Sequence, residues 1–279
     1  MSPTPCSASF TTSEDYAVNS RLLESRRLLT ILLLAAFGWS LLNVGWGPGL
    51  VHSGGLKATL EIGAALFRPD LSVDVLGSAL RASWRTLAYA VAGLSLALVI
   101  GLPLGVIASG VLNRSLWMRR LNQGAVRFVL SFFRSIHELV WAWLFVAALG
   151  LSPMAAVLAL GIPYGGILGR IYSELLQDVP EAPLRALRSA GASDWQVLWF
   201  GRLPMALPDM LSYTFYRLEC GIRSAAILSF VGLGGLGYQV QISLDDLDYS
   251  RAWTFLLALV VLVVAVDVWS SLVRRRFVA

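Results

Sequence analysis

The chain alternates between long apolar runs and short polar stretches, and the runs have the length of membrane crossings. A bilayer-spanning helix needs roughly 20 mostly apolar residues. Six segments meet that need, at about 28–47, 86–109, 126–150, 154–173, 210–236 and 252–273. The third and fifth carry charges inside the apolar run. The first follows a long polar leader with no small-residue cleavage site behind it, so it reads as an anchor and not a cleaved signal. Residues 1–27 and 274–279 are then tails.

The polar stretch 48–85 is not featureless. Leu56, Leu60, Ala64 and Phe67 recur at helical spacing, with Lys57, Glu61 and Arg68 on another face. This pattern fits an interfacial helix, or else a plain outer loop. Pro69 and Asp70 break it, and Leu71–Trp84 forms a second amphipathic stretch leading into the second span.

Composition agrees with the pattern. Hydrophobic residues make up 57% of the 279 and charged ones 14%, with mean hydropathy +0.69. A soluble domain carries about 25% charged residues. The net charge of +5 does not mark a nucleic-acid groove, because the cations sit mostly at the ends of apolar runs. With the N-terminus in the cytoplasm, fourteen cations fall inside: Arg21, Arg26, Arg27, Arg114, Arg119, Arg120, Arg127, Arg170, Arg185, Arg188, Arg202, Arg274, Arg275 and Arg276. Five fall outside: Lys57, Arg68, Arg81, Arg85 and Arg251. The positive-inside bias therefore places both termini in the cytoplasm. The loop after the fifth span is acidic, with Asp245, Asp246 and Asp248. Cys6 and Cys220 suggest no disulfide, and His52 and His137 are too few and too distant for a metal site.

Between the fourth and fifth spans, Asp178–Pro208 reads as a helical hairpin in water. Asp178 with Glu181 fits a capping box, with Pro180 in the first turn, and Gly191 can stop that helix. Ser193 with Gln196 is a second capping box, opening a helix through Trp195, Val197, Leu198 and Phe200. Leu203-Pro204 and Pro208 are expected to end it. Apolar and aromatic residues on an exposed hairpin point to a docked partner, although an ordinary capped loop has the same spacing.

Charges also lie inside the spans. Arg134 and Glu138, with His137 adjacent, are four apart in the third span. Glu219 and Arg223 are four apart in the fifth, with Arg217 nearer the cytoplasm. Ionisable groups in a bilayer are costly and face the protein interior or a wet path. Two readings stay open: helical i,i+4 pairs that fix packing, or a polar lining for an oxyanion in which Arg134 and Arg223 meet the anion. Asp267 fits an interfacial place near the cytoplasmic end of the sixth span. Gly232-Leu233-Gly234-Gly235-Leu236-Gly237 satisfies G-x-G-x-x-G, but it ends a span and meets an acidic outer loop, so it is no dinucleotide fingerprint. Close helix packing and a gate at the outer mouth both remain open for Gly232, Gly234, Gly235 and Gly237. The sequence contains no P-loop, so ATP phosphates would have to be held by another polypeptide.

Arg185-Ala186-Leu187, then Gly191, then Leu203-Pro204 resembles the EAA loop of ABC importer permeases. Arg185 stands where that pattern has Glu, and Gly201 where Ile is usual. The runs 134–142 and 169–174, Arg223-Ser224-Ala225 and the glycines at 232–237 look like phosphonate- and phosphite-type permeases, over roughly residues 65–279. The resemblance implies an all-α integral membrane protein with six transmembrane helices and a type I importer (MetI-like) fold, its permease core at 86–273. It implies a homodimer in the bacterial inner membrane, two ABC ATPase subunits carrying ATP and Mg, and a periplasmic substrate-binding protein. The ATPases would dock at Arg185, Ala186, Gly191, Trp195, Leu203 and Pro204. The cargo would be a phosphorus oxyanion, with Arg134, His137, Glu138, Glu219 and Arg223 along its path. A permease for another small solute such as methionine, a self-contained secondary transporter and an intramembrane enzyme are the rivals. The enzyme reading lacks a metal cluster or an activated nucleophile, and the secondary transporter leaves the hairpin unexplained.

Overall fold

The structure is a computed structural model that describes residues 13–43, 55–112 and 116–278. Cys6, His52, Arg114 and residues 44–47 of the first expected span lie outside the described residues. Every described element is helical or a turn. The chain divides into two compact units, Met1–Thr59 and Leu60–Ala279. The first contains α1, Ser13–Asn43, whose Arg26–Asn43 part is apolar enough to cross a membrane. Helix α2, Gly55–Ala65, covers the expected interfacial segment.

In the second unit α3, Val73–Ser109, absorbs both the amphipathic stretch and the second span into one 37-residue helix. No helix breaker separates the two stretches. The Pro69-Asp70 turn before it is tied to α11, Tyr249–Val278, where Thr254 Oγ1 donates to the Asp70 carbonyl at 2.8 Å. Helix α6, Pro153–Asp178, packs along α3 at near backbone contact. A Cβ on Gly101 would lie 3.1 Å from the Gly165 carbonyl oxygen, and one on Gly105 would lie 3.0 Å from that of Gly169. The Gly161, Gly165 and Gly169 series recurs every four residues, so one face of α6 has no side chains to hold α3 away. On the next face of α6, a Cβ at Gly166 would come within 2.8 Å of the Leu130 carbonyl oxygen.

The expected third span is broken. Helices α4, Leu116–Ser135, and α5, Glu138–Leu149, meet at 84°. His137 supplies the reason: its Nδ1 accepts the Leu139 N–H at 3.2 Å and caps a new helix. The Trp141 indole donates to the Phe133 carbonyl at 3.4 Å, partnering a group that a helix end leaves orphaned. Arg134 and Glu138 therefore do not share a helical face.

Helices α7, Glu181–Ser189, and α8, Asp194–Val197, form the hairpin. The Ser193–Gln196 capping box is present in both directions. The Asp178–Glu181 box is not: Asp178 ends α6, Pro180 occupies the cap position, and the Glu181 carboxylate turns to Arg202. Nor do Pro204 and Pro208 end the second arm. A wide π turn, Leu198–Arg202, carries the chain into α9, Leu203–Leu228, and the Leu203 N–H reaches back to the Leu198 carbonyl. Pro204 has no N–H for the Phe200 carbonyl and its ring crowds it, and widening the turn relieves both. Helix α9 ends in a 3₁₀ turn, Ser229–Val231, then a glycine turn, and α10, Leu236–Asp245, follows after a 43° bend. Among the described residues four helices are long and apolar enough to cross a membrane, and the count rises to six where each bent pair is taken as one span.

Candidate functional site

Helices α4, α6 and α9 enclose an open groove of about 580 Å³ bordered by Ser131, Arg134, Ser135, Ile167, Ile171, Tyr213 and Arg217. Arg134 comes from the last turn of α4, where the helix dipole favours a cation. Arg217 lies among tyrosines. Its Cζ is 5.0 Å from the centroid of Tyr164, 5.7 Å from Tyr213 and 6.0 Å from Tyr216. Its Nη2 donates to the Tyr213 hydroxyl at 3.0 Å, and its buried Nε has no partner. Among the described residues neither arginine is paired with a carboxylate. Aromatic faces hold a guanidinium in place without neutralising it, so its charge stays available to a mobile anion.

Behind Arg217 runs a hydrogen-bonded chain. Tyr164 donates its hydroxyl proton to Ser224 Oγ at 3.0 Å, and Ser224 donates to Glu138 Oε1 at 2.6 Å. Glu138 also lies 3.9 Å from His137 Nε2. The path residues expected from sequence thus separate into groups. Arg134 lines the groove. Glu138 supports the tyrosine under Arg217 from the far side of the break. Glu219 does not pair with Arg223: it accepts from Ser270 and, at 3.2 Å, from Arg274 Nη2, fastening α9 to α11. Arg223 is exposed, and its Nη2 lies 3.5 Å from Cys220 Sγ. Spacing suggested i,i+4 pairs, but a serine and an arginine on α11 take up the Glu219 carboxylate instead. Arg217 was visible only as a further cation in the span, and the three tyrosines around it are the signal that marks it.

The glycine run forms a tight turn with φ of +95° at Gly232, +78° at Gly234 and +109° at Gly235. It is bolted to α3, where Thr86 Oγ1 accepts the Leu236 N–H at 3.0 Å and Tyr89 donates to the Leu233 carbonyl at 3.0 Å. Gly237 packs onto the Ala226 carbonyl, with no space for a Cβ.

On the hairpin, Trp195, Trp199 and Phe200 are 58%, 56% and 76% exposed, beside a shallow hollow bordered by Leu187, Gly191 and Phe200. Arg185 and Ala186 are exposed, Leu203 is half-buried and Pro204 is exposed. Gly191 turns the chain at φ +89°. Gly201 is explained by packing: a Cβ there would come within 2.9 Å of both Leu184 and Leu187, so glycine lets the two arms close. Sequence reading gave Arg202 no structural role, yet it pins the corner. Its Nη1 donates to the Leu176 carbonyl at 2.7 Å and its Nη2 to Glu181 Oε1 at 2.7 Å. Desolvation pushes the Glu181 pKa up, but the Arg202 hydrogen bond and charge, with Arg188, outweigh it and hold the carboxyl below its ordinary value.

Several membrane-length apolar helices, a glycine-seamed helix pair, a cationic groove within the bundle and an aromatic hairpin outside it define a multi-pass transport subunit. The chain belongs to the family of binding-protein-dependent transport system inner membrane components, which matches residues 101–279. It is 33% identical over 234 residues to the phosphite transport system permease protein PtxC of Stutzerimonas stutzeri, covering 83% of this chain and 84% of that one. The phosphate-import permease protein PhnE of Mycolicibacterium smegmatis is 30% identical over 190 residues, 68% of this chain and 35% of its own length. An inward-facing structure of the MetNI methionine ABC transporter shares the fold with TM-score 0.65 and 24% identity, over 74% of this chain and 99% of that one. The protein is thus the permease component of an ABC importer, an inner-membrane subunit and not itself an enzyme.

Proposed function

We propose that two copies of this chain form the translocation pathway of an importer for a small phosphorus oxyanion, with Arg134 and Arg217 lining it. The observation that carries this reading is a pair of arginines on one intramembrane groove with no carboxylate between them. Arginine forks suit phosphoryl-type oxygens. The relatives named for phosphite and phosphate transport support the same cargo class. A methionine-type cargo would not need two uncompensated cations, and the methionine transporter resembles this chain in fold alone.

Both termini lie in the cytoplasm, with the hairpin Arg185–Pro204 on the same side. Each hairpin docks Trp195, Trp199 and Phe200 into an ATPase that binds ATP and Mg. ATP binding closes the ATPases and moves the hairpins, opening the pathway toward the binding protein. Hydrolysis returns it, and the anion leaves to the cytoplasm. The anion needs only weak, wet contacts on the way, because capture is the binding protein's task. Uptake of phosphite, phosphate and a simple phosphonate into proteoliposomes containing all three subunits tests the reading. At least one should enter only with ATP, and Arg217→Gln should slow uptake tenfold or more at unchanged assembly. Uptake without the ATPase, or full activity in Arg134→Gln/Arg217→Gln, would refute it.

A further inference from the structure

A second cationic cavity lies against the N-terminal part of α3. It holds about 280 Å³ and is walled by Arg81 and Arg85 on α3, the Gly234–Gly235 turn, and Tyr238 and Gln239 on α10. The two arginines are one helical turn apart, so their guanidinium groups share a face. Arg81 Nη2 donates to Ser78 Oγ at 3.2 Å. The Arg85 guanidinium lies flat against the turn: a Cβ at Gly234 would come within 2.6 Å of its Nη1. No Asp or Glu lines the cavity. Its polar side chains are two guanidinium forks, a serine hydroxyl, a phenol and a carboxamide, each able to donate a hydrogen bond, with a net charge of two.

We propose that this cavity is an oxyanion site at the outer mouth, where the phosphorus oxyanion handed over by the binding protein is first held before it meets Arg134 and Arg217. This rests on the cargo class and topology proposed above. Two guanidinium forks at one-turn spacing can each donate two parallel hydrogen bonds to a tetrahedral oxyanion. The volume admits one such anion with a few waters. The site also touches the turn that links α9 to α10, because Gly234 and Gly235 form its floor. An anion held here bears on the same turn that Thr86 and Tyr89 bolt to α3. The shared chemistry of phosphite and a lipid phosphate means the test must separate cargo from headgroup.

The test uses Gln239→Cys in a Cys6→Ser/Cys220→Ser background in nanodiscs, labelled by a negatively charged methanethiosulfonate and by its neutral counterpart. Two cations within a few ångströms should favour the anionic reagent. The anionic-to-neutral rate ratio is expected to fall about tenfold in Arg81→Gln/Arg85→Gln. Millimolar phosphite should slow labelling at least threefold in the parent and not in the double variant. An unchanged ratio, or phosphite protection that survives loss of both arginines, overturns the site. Protection that follows the phosphatidylglycerol content of the disc and ignores phosphite also overturns it, because a headgroup then fills the cavity. If the complete importer takes up no phosphorus oxyanion but the ratio and protection behave as stated, the oxyanion site stands and the proposed cargo falls.

Discussion

Replacing Arg202 with methionine should release the hairpin from the membrane part of the protein. The Arg202 side chain is 7% exposed, and both terminal nitrogens are engaged at 2.7 Å, one by the Leu176 carbonyl and one by Glu181. Leu176 lies in the last turn of α6, where carbonyls lack an intrahelical donor. Methionine fills much of the same volume and satisfies neither partner. Leaving the carbonyl unmet costs about 1–3 kcal/mol. Glu181 is 53% exposed, so its arm of the interaction counts as a surface pair, worth about 0.5–1 kcal/mol after screening. The buried Nε of Arg202 has no partner, so methionine also removes one unsatisfied donor, which favours the lower part of the range. A net loss of about 1.5–2.5 kcal/mol corresponds to roughly a 13- to 70-fold rise in the detached hairpin population. Hydrogen exchange of the α7 amides reads this directly. They should exchange faster by that factor while the α3 and α6 amides away from the corner hold their protection. Arg202→Lys should fall between, because one ammonium cannot span both partners as a fork does. Exchange in α7 within threefold of the parent would refute the pinning role.

The same corner has an acid limit. Glu181 has a lowered pKa, so its contribution is fully present above the ordinary glutamate range and is lost as pH falls through the depressed value. Hairpin protection should be flat from about pH 8 down to the ordinary glutamate range and decline as pH falls through and below it, and a decline centred near neutrality would contradict the assignment. Gly191→Ile should cost about 1–2 kcal/mol in the turn at φ +89° and abolish stimulation of the ATPase, while membrane insertion, followed by protease protection, is unchanged. Gly237→Ala should greatly reduce the yield of folded protein, because its Cβ collides with the Ala226 carbonyl; Gly124→Ala, with nothing near its Cβ, should be neutral or raise stability by about 0.5–1 kcal/mol in thermal melts.

Much of this architecture was legible in the apolar runs. The crossings, the hairpin and the Ser193 cap follow from periodicity and local side-chain chemistry, which a single chain displays. What sequence did not display is competition. His137 could continue a helix or cap the next one, and the Trp141 indole decided for the break. Glu219 could meet Arg223 along its own helix or Arg274 across to another, and packing of α9 on α11 decided. Pro204 read as a stop, yet a π turn let the helix pass. Arg217 and Arg202 looked like two more basic residues among many, since the Tyr164 ring and the Leu176 carbonyl that they meet belong to another helix, α6. The Gly161, Gly165 and Gly169 repeat was readable in principle as a close-packing face.

That repeat has a mechanical consequence. With backbone against backbone between α3 and α6, sliding by a fraction of a turn would drive Leu160, Leu168 or Ile100 into the opposing chain. The next permitted register is a full repeat of four residues, about 6 Å away. The pair therefore behaves as a stator. In the proposed cycle a stroke from the hairpin is therefore not absorbed by slippage there and passes to the bends mounted on it, the elbow at residues 136–137 and the glycine turn after α9.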